Sequence, residues 1–139
     1  MSRRGRLVLV VLGVLIVAAV VWALVPSPPP ATPTASGART CPVATLPPEV
    51  RDTLRAIHSN GPFLFPHDDG VVFGNREGHL PEQARSYYRE YTVITPGAHN
   101  RATRRIVTGG SPATDPREYF YTADHYDSFC QVTDAGGQP

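Results

Sequence analysis

Three groups of residues in the 139-residue chain have the types and spacing to do chemistry. Glu90 sits in the middle of the run Tyr87 to Thr95. Strand alternation puts Tyr88, Glu90, Thr92 and Ile94 on one side of that run and Tyr87, Arg89, Tyr91 and Val93 on the other. A carboxylate between tyrosines is either a satisfied structural group or a general base. Arg101, Arg104 and Arg105 cluster just beyond the following turn. Alternation points Arg104 and Arg105 to opposite faces, so one is solvated while the other can share the face of Glu90. Such a cluster is either a solvated patch or a binding site for an anion, to which the planar guanidinium fork is suited. Finally, Asp124-His125-Tyr126 follows the strand-like run Glu118 to Thr122. A histidine in such a turn is either a surface residue or a proton-transfer group. Carboxylate, guanidinium and imidazole are the types that acid–base chemistry draws on, and residue type alone leaves both readings of each open.

The elements that must position these groups are a helix followed by strands. Pro47 and Pro48 fit a first helical turn, Val50, Leu54 and Ile57 follow at i, i+4 and i+7, and Asn60-Gly61 ends the helix. Strand-like runs come next at Gly70 to Phe73, Tyr87 to Thr95, Arg104 to Thr108, Glu118 to Thr122 and Ser128 to Val132. Connections such as Thr95-Pro96-Gly97 and Gly109-Gly110-Ser111-Pro112 are too short for helical crossovers. The fold class is therefore α+β, with one N-terminal helix packed on an antiparallel sheet. The helix covers one sheet face and leaves the other open, where a site is expected.

Composition bounds the rest. Arg3, Arg4 and Arg6 precede an uncharged apolar run from Leu7 to Val25, whose length of roughly 28 Å as a helix approaches the hydrocarbon thickness of a bilayer. This marks residues 1–25 as a signal anchor or a cleaved signal peptide, with the arginines cytoplasmic and the remainder extracytoplasmic, anchored or secreted. Residues 26–40, rich in Pro, Ser, Thr and Ala, read as a linker. Residues 41–139 are long enough for one domain. They hold nine arginines against all twelve acidic residues, a net charge of −3, which argues against binding a polyanion by bulk charge. Any nucleic-acid contact must be local, through a few placed arginines. Cys41 and Cys130 bracket the domain, and an exported chain is expected to pair them, the alternative being two unpaired thiols. Two distant cysteines and five scattered histidines offer none of the close ligand spacings of a metal site.

Several stretches carry a resemblance: Gly70-Val-Val-Phe-Gly-Asn-Arg-Glu77, Tyr87-Tyr-Arg-Glu-Tyr-Thr-Val-Ile-Thr-Pro-Gly97, Arg101-Ala-Thr-Arg-Arg105 and Tyr121-Thr-Ala-Asp-His-Tyr126, with Leu46-Pro-Pro-Glu before them. In these the chain closely resembles the microbial guanyl-specific ribonucleases, the ribonuclease Sa and barnase family, over essentially all of Cys41 to Val132. The resemblance implies an endoribonuclease of ribonuclease T1 type that cuts single-stranded RNA after guanosine, first by transphosphorylation and then by hydrolysis. It implies no metal or cofactor, a monomer, and a cytosolic inhibitor resembling barstar. By residue, it makes Glu90 the general base, His125 the general acid, and Arg101 and Arg105 the phosphate ligands. Guanine recognition falls to Phe73, Asn75, Arg76 and Glu77, with Tyr126 on phosphate or ribose. A tethered binding module of the same fold without turnover is the alternative from another class, and a secreted antibacterial toxin is an alternative purpose. There are departures too. Gly74 replaces a bulkier polar residue in the base loop, predicting lower base affinity or a less rigid loop. Cys130 comes several residues before the family's second cysteine, which puts the geometry of a Cys41 bridge in question. An extra residue falls near His67-Asp68-Asp69.

Overall fold

The computed structural model describes residues 39–136. The apolar run at 7–25 and nearly all of the linker lie outside them, and among the described residues no helix is long and apolar enough to cross a membrane. The elements run β1 (Thr40–Cys41), a 3-10 turn (Val43–Thr45), α1 (Glu49–Ser59), β2 (Val71–Val72), β3 (Tyr88–Thr92), β4 (Arg105–Gly109), β5 (Glu118–Thr122) and β6 (Cys130–Val132). This is the expected α+β arrangement of one helix and one sheet.

Helix α1 forms where the i, i+4, i+7 spacing placed it, one turn boundary aside. Pro48 is its N-cap rather than a residue of its first turn. Its C-cap Asn60 takes the left-handed conformation at φ 58°, and its N–H bonds back to Ala56 O and Ile57 O. The buried face is Val50, Thr53, Leu54 and Ile57. Thr53 adds a polar tie, its hydroxyl donating to Thr92 O on β3 at 3.0 Å.

The six strands lie in the order β1-β6-β5-β4-β3-β2. Every neighbouring pair is antiparallel except β1 and β6, which run parallel. The sheet is thus antiparallel apart from one parallel pair at its edge, in keeping with the expectation of a largely antiparallel sheet. Thr40, assigned above to the linker, pairs with Gln131 in that edge. A parallel neighbour requires a long crossover, and here α1 and the whole remaining chain supply it. Cys41 and Cys130 sit on these edge elements and form a disulfide with their Cα atoms 5.8 Å apart. The early position of Cys130 is matched by the strand that carries it. Closing a loop of 89 residues stabilises the fold by on the order of 4–5 kcal/mol in the chain-entropy model.

Both sheet faces are covered, a correction to the expectation of one open face. Tyr91, Ile106 and Tyr121 stand side by side across β3, β4 and β5 and meet α1 in the main core. On the opposite face Tyr88, Val107 and Phe120 form a smaller core with Leu80, roofed by Phe73, Tyr126 and Phe129 from two loops. That is why Ile106 and Val107, adjacent in β4 and facing opposite ways, are both fully buried. The second core occupies only part of its face. Beyond it the row Thr92, Arg105, Thr122 continues the same face toward the loops at one end of the sheet.

Tyrosine supplies an unusual share of this packing, and burial is the largest cause holding all six phenols above their ordinary value of 10, with Tyr88 and Tyr119 pushed up to about 12. In the window from about pH 10 to 12 the unfolded chain releases the protons of Tyr88, Tyr119 and Tyr126 while the folded chain keeps them, so stability falls as pH rises. Each of these three phenols should steepen that loss by up to about 1.4 kcal/mol per pH unit. Urea unfolding between pH 8 and 12 should show a flat region followed by a steep decline. Tyr119→Phe should make the decline shallower at no cost at neutral pH, because the Tyr119 hydroxyl is buried without a hydrogen-bond partner among the described residues.

Candidate active site

The register of the sheet settles which side chains meet. Glu90 stands opposite Val107, and Thr92 opposite Arg105, so Glu90, Thr92 and Arg105 share the face of the smaller core. Arg104 points the other way and approaches Glu49 of α1 at 3.8 Å. Of the two adjacent arginines, Arg105 is therefore the one on the side of Glu90, and its side chain is buried. Its Nη1 donates to Arg104 O at 2.8 Å and Arg101 O at 3.2 Å. The chain at 101–104 curls back to solvate the guanidinium with its own carbonyls.

Arg101 reaches the same place from the loop before β4. Its Nε donates to the Thr92 hydroxyl at 2.9 Å, and its Nη2 lies 3.6 Å from Glu90 Oε1 and 3.8 Å from Asp69 Oδ1. Asp69 was not foreseen as part of the site. Its side chain is only 4% exposed. Its Oδ1 accepts from both the N–H and the hydroxyl of Thr92 at 2.6 Å. The Thr92 hydroxyl thus hands its proton toward Asp69 and offers its lone pair to Arg101, which fixes the direction of the guanidinium. Two donors in this cluster, Arg101 Nη2 and Arg105 Nε, are buried without a hydrogen-bond partner among the described residues. Unpaired buried donors cost about 1–3 kcal/mol each, and an arriving anion is what would relieve that cost.

Tyr126 joins the remaining parts. Its hydroxyl donates to Glu90 Oε2, and Arg105 lies beside the same phenol. Burial first, then the bond to Glu90, pushes the phenol up to about 12, so it stays a donor throughout the neutral range. One face of the ring packs on Phe73 of the base loop, with centroids 4.9 Å apart, and His125 lies 4.7 Å away. His125 is exposed and borders an open depression of about 530 Å³ with Asn100 to Thr103.

The turn carrying His125 and Tyr126 is held by Asp124. Asp124 accepts from the Thr122 hydroxyl at 2.9 Å and from the Ser128 N–H and hydroxyl at 2.9 and 2.5 Å. The bonds from Ser128 are the main reason its carboxyl is held below the usual carboxylate range. The carboxylate is turned to these partners and makes no ion pair with His125 among the described residues. Non-glycine residues at positive φ number five in the described chain. Four of them, Asn75, Ala102, His125 and Tyr126, lie in the loops around this cluster, as backbone strain does where surrounding structure holds a functional conformation.

The base-loop residues form a second region that touches the first through Phe73 and Tyr126. The Asn75 amide closes the loop, donating to Leu80 O at 2.8 Å and accepting from Leu80 N at 3.0 Å. Its side chain is therefore committed to the loop, leaving its backbone for any ligand. Arg76 and Glu77 are exposed. With Val72, Gly74, Arg85 and Ser86 they border an open cavity of about 630 Å³. A Cβ at Gly74 would meet Arg76 Cγ at 3.7 Å, an ordinary contact, so the glycine is not required by space. Asp69 and Thr92 escaped sequence reasoning because their roles come from pairing across 23 residues. The sequence signal nearest to them was Asp68-Asp69-Gly70 directly before a strand.

A family model described as ribonuclease matches residues 29–133. The chain is 54% identical over 90 residues to guanyl-specific ribonuclease Sa of Kitasatospora aureofaciens, covering 65% of this chain and 88% of that one. It is 53% identical over 87 residues to guanyl-specific ribonuclease St of Saccharopolyspora erythraea, covering 63% and 80%. Among solved structures, ribonuclease Sa2 in complexes with mononucleotides superposes with a TM-score of 0.63 at 42% identity, over 69% of this chain and 94% of that one.

The bridging role of Thr92 makes a specific prediction. Thr92→Val removes the hydroxyl, leaving Arg101 Nε without its acceptor and Asp69 Oδ1 with the backbone N–H alone, at an expected cost of about 1–3 kcal/mol. Thr92→Ser keeps the bridge and should retain most of that stability. The midpoints of urea unfolding at constant slope compare the two.

Proposed function

The chain belongs to the ribonuclease family, and on that premise we propose that it is a guanyl-preferring endoribonuclease. It cuts single-stranded RNA on the 3′ side of guanosine through a 2′,3′-cyclic phosphate and needs no metal. The observation that carries this reading is the meeting of Glu90, Arg101, Arg105 and Tyr126 on one sheet face, with His125 packed on Tyr126. RNA brings its own nucleophile, the 2′-hydroxyl. Glu90 takes its proton, O2′ bonds to phosphorus as the bond to O5′ breaks, and His125 in its imidazolium form protonates the departing O5′. The products are a cyclic phosphate and a free 5′-hydroxyl. Hydrolysis follows with the roles reversed, His125 taking a proton from water and Glu90 returning one to O2′.

The extra negative charge on the phosphoryl oxygens in the transition state falls between Arg101 and Arg105, whose orphaned donors suit it. The Tyr126 hydroxyl moves from Glu90 to phosphate or ribose as substrate enters. The open depression beside His125 takes the leaving nucleotide. For the base, the N1–H and N2 amino group of guanine form a double donor edge that the Glu77 carboxylate accepts in a bidentate manner, while loop N–H groups meet O6 and N7. Adenine lacks that edge and would leave the carboxylate unpaired. Phe73, held against Tyr126, stacks on the base. The guanyl specificity named for the ribonuclease Sa and St relatives supports this assignment.

The purified chain should cleave GpN dinucleotides equally well with and without a chelator, and cleavage lost with the chelator would overturn the metal-free mechanism. Glu90→Gln and His125→Ala should each fold normally and lower kcat by about 10²–10⁴-fold. Full activity in both would refute the assigned roles.

The same reading places the domain outside the cytoplasm, supported by the arginine-flanked apolar run at 7–25 and the Cys41–Cys130 bridge. An inhibitor resembling barstar inside the producing cell accords with the hazard of making such an enzyme there. Fractionation should find the protein in the membrane or the culture medium, at full length if anchored and shortened by about the first 25 residues if cleaved. Recovery of full-length protein from the cytosol would refute export.

A further inference from the structure

Arg101 is contacted on two sides that differ in kind. On the inner side its Nε is fixed by Thr92, and its Nη2 faces Glu90 and the nearly fully buried Asp69. On the outer side Asp68 Oδ1 stands 3.3 Å from Nη1, close enough for an ion pair. Asp68 differs from its neighbour in being loosely held. Its side chain is 48% exposed, and its carboxylate makes no hydrogen bond with the described residues, whereas Asp69 accepts three. The turn that carries it is fixed through the backbone, Asp68 N and Asp69 N both donating to Phe65 O at 2.9 and 2.8 Å. The carboxylate can therefore leave without disturbing the turn.

Three carboxylates around one guanidinium exceed what its charge can balance. Glu90 and Asp69 have other duties, the first as base and the second as anchor of Thr92. The Asp68 carboxylate has no other polar partner among the described residues. We infer that Asp68 is an intramolecular competitor for the substrate phosphate: it occupies the outer edge of Arg101 in the free protein and is displaced when phosphate binds, so that it sets substrate affinity. The inference rests on the assignment of Arg101 to phosphate in the proposed function. A phosphate on Arg101 and a retained Asp68 charge would lie within about 6 Å of each other at a site open to solvent, where their repulsion corresponds to roughly a three- to tenfold loss of affinity.

Removing that charge should therefore tighten binding. In Asp68→Asn and Asp68→Ala of the full chain, KM for a GpN dinucleotide should fall roughly three- to tenfold with kcat unchanged. Inorganic phosphate, titrated by NMR against the His125 ring signals, should bind more tightly by a similar factor. Both gains should shrink as salt rises from about 0.05 to 0.5 M, since the pair is partly exposed. A mere prop for Arg101 would give the opposite result, weaker phosphate binding in both variants, and that outcome or unchanged constants would overturn the inference. If the unaltered chain cleaves no dinucleotide, it is the proposed function that fails, and the phosphate titration still decides the role of Asp68. The alanine variant keeps the test valid should asparagine itself bond to Arg101.

Discussion

A guanidinium withdrawn from water costs several kcal/mol unless nearby groups take over its hydration. Arg105, 3% exposed at the first position of β4, imposes that demand on everything around it. The loop at 101–104 meets it by turning two carbonyls inward, which requires Ala102 at φ 50° and brings Arg101 back over Thr92. Arg101 then needs counter-charge, and Asp69 provides it from the turn before β2 and Glu90 from β3. Glu90 is in turn held by Tyr126, whose turn is tied by Asp124 to Thr122 and Ser128. A chain of compensations that begins with one buried charge thus reaches the loops on both sides of the sheet.

The compensations hold because the sheet beneath them does not yield. The main core with α1, the smaller core under Phe73 and Tyr126, and the disulfide at the β1–β6 edge are made independently of the charged cluster. The apolar cores supply the stability, and the cluster draws on it as strained φ angles and orphaned donors. The two systems meet at Tyr126, which packs its ring in the smaller core and directs its hydroxyl into the cluster. A tyrosine suits that position because one residue offers an apolar body and a polar tip.

The parts of this arrangement that follow a period were legible in the sequence. The spacing of Val50, Leu54 and Ile57 gave the helix, and alternation along β3 and β4 gave the shared face of Glu90 and one arginine. Resemblance, not period, chose Arg105 over Arg104. What stayed hidden has no period. A two-residue parallel strand at Thr40–Cys41 carries no alternation to detect, and its partner lies 91 residues away in sequence. The cover over the second sheet face comes from single aromatics, Phe73, Tyr126 and Phe129, scattered through loops. Asp69 and Asp68 read as an ordinary acidic turn, since the arginine that gives them meaning lies more than thirty positions on.

That last case bears on how a site can vary within a family while its chemistry stays fixed. Glu90, Arg101, Arg105 and Tyr126 are each held by more than one neighbour, so exchanging any one strands others. The outer turn at His67 to Asp69 is different: it can gain a residue at the solvent side so long as Asp69 still reaches Thr92. The carboxylate of Asp68 lies at the edge of Arg101 that no inner contact occupies. On the inference drawn above, a surface turn adjusts the anion site electrostatically without involving any residue that carries the reaction on the proposed reading. Long-range charge makes this economical, because a carboxylate several ångströms from the phosphate changes its energy without needing a shaped contact.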